Sequence, residues 1–204
     1  MSRLMLVMLL AGVAGLAQAA PLTAREAREA AGDAVAMLWT VNQAFVDEYF
    51  HTGEWEKAVV VNERLISLRP HDIDPYSNAA WLLWSTDQVE RAMALYQRML
   101  AANPDNPEGY YIIGHYFFFT RRDYAAALPY LENSIKHGAT PPQNHLYGHC
   151  LAKLDRTADA LAFWRQLLAD YPDNGVAKNE IEKLTKGTPD PAAPGDTPAE
   201  GTPE

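Results

Sequence analysis

The chain repeats itself every 34 residues, and no other feature of the sequence limits its fold so tightly. Pro70 and Pro104 stand one period apart, and Pro172 lies two further periods on. Ala58, Ala92 and Ala160 keep the same spacing and phase, and Gly114 and Gly148 are again 34 apart. A constant period of this length marks one supersecondary unit used several times. Each copy buries its apolar face only by stacking on its neighbours.

Inside a unit the apolar residues fall into two helical stripes. Tyr76, Ala80 and Leu83 make the first; after a turn near Asp87, Ala92, Tyr96 and Met99 make the second, and Asn103-Pro104-Asp105 ends it. The fourth unit repeats the plan with Gly148 and Leu151, then Ala160, Trp164 and Leu167, then Tyr171-Pro172-Asp173-Asn174. Ala80, Gly114 and Gly148 are small enough to let two paired helices approach closely. Tyr96, Leu131 and Trp164 are large enough to fill the space between successive pairs. Proline closes the second helix because it cannot continue the hydrogen-bond ladder.

This pattern resembles the tetratricopeptide-repeat (TPR) family, most closely from Gly114 to Ala127 (GHYFFFTRRDYAAA) and from Asp170 to Asn174. The resemblance covers roughly Trp39 to Asn174. It implies an all-α, right-handed α-solenoid of about four helix-turn-helix repeats, at 39–72, 73–106, 107–140 and 141–174. Several departures stand out. The third unit holds one extra residue, expected between its helices, so that Ala127 follows Ala92 by 35. It ends on His137-Gly138, where Gly138 is expected to cap in the left-handed conformation. Pro129 is expected to kink the second helix of that unit without ending it. The first unit is degenerate, with Asn62 where a bulky apolar residue belongs.

The flanks differ from the repeats. Met1-Ser2-Arg3, an apolar run from Leu4 to Leu16 and Ala17-Gln18-Ala19 form a bacterial-type secretory signal peptide at 1–19. Its apolar run is too short to span a bilayer. It predicts an exported protein, periplasmic or secreted, with no stable membrane insertion after cleavage. Thr23 is the expected N-cap of an N-terminal capping helix within 20–38, and 175–186 reads as a C-terminal capping helix. The stretch 187–204 (GTPDPAAPGDTPAEGTPE) has almost nothing to bury and is expected to be a disordered spacer or solubilising tail.

With 48% apolar residues the chain has material for a packed core, and its net charge of −9 argues against nucleic acid and anionic membrane surfaces as partners. Cys150 is the single cysteine, so no internal disulfide forms; its place in an apolar stripe predicts a small core residue.

In TPR proteins the first helices of the pairs line a concave groove. Carried onto this sequence, the resemblance implies a surface of Gln43, Asp47, Phe50 and His51, then Ser77, Trp81, Trp84 and Ser85. Tyr111, His115, Phe118 and Phe119 follow, and then His145, His149, Ala152 and Lys153. Trp81, Trp84, Tyr111, His115, Phe118, Phe119, His145 and His149 are the expected ligand contacts, because large rigid rings with a few polar handles suit recognition. An aromatic stripe at helical spacing is equally what a core requires, and the sequence leaves both readings open. No set of Lys, Arg and Asn matches the clamp that some TPR proteins use for acidic C-termini. A protein or peptide partner, or a polysaccharide stacking on the rings, fits better.

His145 and His149 lie four apart on one helix, and His115 holds the matching position one repeat earlier, so these three are the candidates for a zinc or copper site. No metal and no cofactor is assigned, because no carboxylate stands near them in sequence. No Gly-rich phosphate loop, nucleophile elbow or catalytic carboxylate pair is present. His149 and Cys150 point about 100° apart on a helix and form no dyad. The expected role is a non-enzymatic binding scaffold of the cell envelope.

Overall fold

The computed structural model describes residues 23–186 and consists of helices and turns throughout that range. The expected signal peptide at 1–19 and the tail at 187–204 lie outside the described residues. The chain divides between Arg69 and Pro70 into two units.

The first unit holds α1 (Ala24–His51) and α2 (Trp55–Leu68). Thr23 caps α1 as expected. Its hydroxyl accepts the Glu26 N–H at 3.3 Å while the Glu26 carboxylate accepts the Thr23 N–H at 2.8 Å, a reciprocal capping box. From there α1 runs 28 residues without a break. The separate capping helix expected at 20–38 is therefore continuous with the first helix of the first repeat. No proline interrupts this alanine-rich stretch, and its one glycine, Gly32, faces open space. α1 contains no buried residue, whereas α2 buries Ala58, Val59, Val61, Leu65 and Ile66. Asn62 is buried too, and its side-chain amide donates to the Ala58 carbonyl at 2.9 Å, which meets part of its polar need inside its own helix.

The second unit begins with α3 (Asp74–Ser85) and α4 (Val89–Ala102). Next comes α5 (Pro107–His115), which passes directly into a π-helical stretch, Tyr116–Arg121, and is followed by α6 (Tyr124–Lys136). α7 (Pro141–Lys153), α8 (Thr157–Asp170) and α9 (Gly175–Lys186) complete the described chain. α3/α4, α5/α6 and α7/α8 are packed helix pairs, and α9 packs on α8. The small residues do what their spacing predicts. A methyl group on Gly148 would sit 2.4 Å from the Trp164 ring, and one on Gly114 would sit 2.6 Å from the Leu131 side chain. Only glycine admits these partners. Trp164 is consequently fully buried.

The extra residue of the third unit lies inside its first helix, not between the helices as expected. The turn residues show this. Asp87, Arg122 and Asp155 have positive φ (63°, 53° and 57°), and each stands five residues before the recurring alanine in the first turn of the next helix. The register from turn to alanine is thus constant, and the added residue is taken up upstream by the wider π turns, with Asp123 N–H reaching back to the Phe117 carbonyl at 2.9 Å. At the far end of this pair Gly138 adopts φ 88°, the left-handed cap expected of it, and α6 continues through Pro129 to Lys136. Cys150 is fully buried in a cluster with Phe118, Ala127, Leu131 and Leu146. Its thiol donates to the Tyr124 carbonyl at 3.2 Å, and burial pushes its pKa up to about 11, which leaves it unreactive at neutral pH.

Candidate functional site: an aromatic cleft between the second and third repeats

An open cleft of about 380 Å³ lies between α3 and α5. Ser77, Trp81 and Trp84 line it from α3, and Tyr96 lines it from α4. Tyr111, Ile112 and His115 on α5, with Tyr116 and Thr120 of the π stretch, form the opposite wall. The helical repeat dictates this convergence. Trp81 and Trp84 share a face at i and i+3, and Tyr111 and His115 share one at i and i+4.

Trp81 meets Trp84 edge-on, with centroids 6.0 Å apart and planes at 77°. Trp84 then leans on Tyr116 at 5.6 Å, and Tyr116 on Tyr96 at 5.9 Å. Trp81 stands at the lip, 43% exposed, whereas Tyr96 is buried. Burial pushes the Tyr96 phenol up to about 12, against the hydrogen bond from Trp84 that favours its anion. Burial also lowers the pKa of His115, which leaves the imidazole neutral near pH 7. Every side chain lining the cleft is therefore uncharged at neutral pH. The site presents ring faces with a few hydroxyl and indole groups, a combination suited to binding and lacking an activated nucleophile or a general base with an orienting partner.

Four of the eight expected contacts meet here: Trp81, Trp84, Tyr111 and His115. Phe118 does not. It is 8% exposed, lies 5.0 Å from the Tyr124 ring and belongs to the core with Leu131 and Cys150. The reason is register. Phe118 stands nine residues before Ala127, as the buried Leu83 and Leu151 stand before Ala92 and Ala160. Counting from the start of the unit aligns it with Trp84, but the π insertion shifts it by one. Phe119 takes the Trp84 position instead; it is 57% exposed and lies against His115 at 4.6 Å.

His145 and His149 are also displaced from the expected groove, because α9 lies over them. The His145 Nε2 is 2.9 Å from the Asn174 side-chain amide, which donates to it. His149 packs edge-on against Trp164 at 5.2 Å, and its Nδ1 is 3.8 Å from the Glu180 carboxylate, which accepts from Lys183 at 2.6 Å. Burial lowers the pKa of both imidazoles, opposed at His149 by the Glu180 carboxylate. The carboxylate missing from the local sequence thus arrives from α9. It pairs with one histidine only, while His115 sits in the cleft. Among the described residues no group of three or more His, Cys, Asp or Glu is placed to hold a metal ion, so the three histidines form no common site.

Sequence reasoning missed Tyr96, Ile112, Tyr116 and Thr120 as lining residues. Tyr96 sits on a second helix, where a large ring reads as inter-pair filler. Tyr116 and Thr120 reach the cleft through the π stretch. The 35-residue interval was the available signal for that stretch.

Comparison with known proteins settles the family. Residues 49–114 match a family described as tetratricopeptide repeat, and residues 85–166 match one described as anaphase-promoting complex, cyclosome, subunit 3, also a TPR-type repeat family. The chain belongs to the tetratricopeptide-repeat family. No curated protein matches the sequence. Solved TPR structures share its architecture. MamA superposes with a TM-score of 0.56 at 14% identity, covering 74% of this chain and 83% of that one. PilF of Pseudomonas aeruginosa gives 0.55 at 16%, covering 75% and 70%. YrrB, described as a TPR protein with an unusual peptide-binding site, gives 0.51 at 18%, covering 70% and 74%. The TPR chain is accordingly an all-α helical repeat solenoid, the fold of protein–protein interaction modules. Among its described residues no helix is long and apolar enough to cross a membrane.

Proposed function

We propose that this protein is a non-enzymatic, peptide-binding scaffold of the cell envelope, and that the α3/α5 cleft is its recognition site. The observation that carries this reading is the open cluster of Trp81, Trp84, Tyr111 and His115 around about 380 Å³ of uncharged space. Rigid aromatic anchors bury large areas at small entropic cost, and they dominate the energetics of protein recognition sites. A shared fold with a TPR protein described as having a peptide-binding site agrees with this reading. The basic start, short apolar run and Ala17-Gln18-Ala19 ending support export to the periplasm or beyond.

The test is affinity capture from envelope extract, using the native chain and a Trp81→Ala/Tyr111→Ala variant whose helicity is verified by circular dichroism. Truncating two anchors costs about 2 kcal/mol each at a central hot spot, so capture of the partner falls by well over tenfold. A native chain that retains nothing beyond what the folded variant retains removes the cleft from consideration.

A further inference from the structure

The cleft described above combines ring faces with neutral hydrogen-bond donors. Aromatic slots with uncharged donors suit the polyproline II conformation. Proline rings stack on Trp and Tyr, and the carbonyls of that helix, which has no internal hydrogen bonds, accept from indole and hydroxyl groups.

This chain carries such a segment. Positions 187–204 hold Pro189, Pro191, Pro194, Pro198 and Pro203, interspersed with Asp190, Asp196, Glu200 and Glu204. We infer that the chain's own proline-rich segment 187–204 occupies the α3/α5 cleft and competes there with the peptide partner. The inference rests on the cleft being a peptide site.

The topology of the second unit brings the segment to the correct edge. His145 and His149 on α7 meet Asn174 and Glu180 in the same order, so α9 runs parallel to α7. Trp84, in the last turn of α3, meets Tyr116, directly after the end of α5, at 5.6 Å, so these two helices also end side by side. Phe118, near the end of the π stretch, packs with Leu146 and Cys150 of α7 and thereby links the two sets. The C-terminal ends of α5 with its π extension, of α7 and of α9 therefore share one edge of the stack. Lys186 ends α9 on the edge that carries Thr120 and Arg121. Packed helices lie about 8–10 Å apart, so two steps separate α9 from α5 by roughly 20 Å. The segment 187–204 spans roughly 55 Å at the polyproline II rise of about 3.1 Å per residue. Tethering supplies an effective concentration of about millimolar, so even a weak contact is occupied.

The test uses the full chain and a full-length variant in which the five prolines, Pro189, Pro191, Pro194, Pro198 and Pro203, are replaced by serine, preserving length and charge. A synthetic peptide of sequence 187–204 is titrated into each by calorimetry. The inference predicts binding to the serine variant about tenfold or more tighter than to the native chain, and loss of that binding when Trp81→Ala is added. Trp81 is chosen because its exposed place at the lip makes the fold tolerant of its removal. Equal affinity for both full-length chains overturns occupation in cis while leaving the cleft a peptide site. No binding to a folded serine variant overturns the proline-segment assignment, and partner capture then tests the cleft reading by itself. A native chain that sediments as a dimer, and as a monomer once its prolines are replaced, assigns the occupant to a second copy and overturns the cis form.

Discussion

His115 and His149 stand 34 residues apart, each directly after a glycine that a bulky neighbour touches, yet their surroundings share little. His115 faces an open cleft with Trp81, Trp84 and Tyr111. His149 is held between Trp164 and the Glu180 carboxylate of α9. A repeat position fixes the direction in which a side chain leaves its helix. Whether it stays open depends on what the next helix along the stack presents. Trp81 and Trp84 meet edge-on along α3, Trp84 tilts against Tyr116, and an open cleft is left between α3 and α5. At α7 the two imidazoles instead meet the Asn174 amide just before α9 and the Glu180 carboxylate on it.

The largest test of this contrast compares two tryptophans. Trp164→Ala should cost about 3–5 kcal/mol, because it empties a fully buried site between α7 and α8. Trp81→Ala, at the lip, should cost less than about 1 kcal/mol, and its effect should fall on partner capture. Chemical denaturation of both variants checks this, and comparable losses would mean the cleft is core. Next in size, Gly148→Ala should destabilise by about 1–3 kcal/mol, since its methyl meets the Trp164 ring at 2.4 Å, while Gly175→Ala, with nothing within 4 Å, should not.

Acid should act through the covered histidines. Burial sets the folded pKa values of His145 and His149 below the unfolded value of about 6.5, so the unfolded chain takes up protons first. Stability is then complete above about pH 7 and declines as pH falls through about 6.5 toward the lower folded values. A melting temperature followed from pH 7.5 to 5.5 should fall in the native protein and fall less in His145→Gln/His149→Gln. Glu180 opposes this effect at His149, while Lys183 and Lys153 reinforce it, so Glu180→Gln should steepen the decline. The smallest effect is expected at Arg122. Its left-handed conformation is strained for a side-chain-bearing residue, and Arg122→Gly should raise stability by up to about 1 kcal/mol.

The residues divide plainly by what made them readable. Gly114 and Gly148 announced close helix contacts, and Trp164 announced what would fill them, because both depend on partners within one repeat. Trp81 and Tyr111 were legible as cleft-lining residues because i, i+3 and i, i+4 spacing places each on a common face with Trp84 and His115. Phe118 was misplaced by one residue, since the sequence records an insertion but not which turn of helix absorbs it. The π stretch took it up, and this moved Phe118 inward and Phe119 outward. His145 and His149 were expected in the groove, but the helix that covers them lies outside their repeat.

The 34-residue period, the small and large residues in phase and the closing prolines by themselves determined the repeat family and the paired-helix plan, because these are local consequences of helix geometry and steric size. Tertiary structure alone decided where the inserted residue went, which aromatics stayed in solvent and which histidines were covered. Those outcomes depend on contacts between elements far apart in sequence, whose energies no local pattern carries.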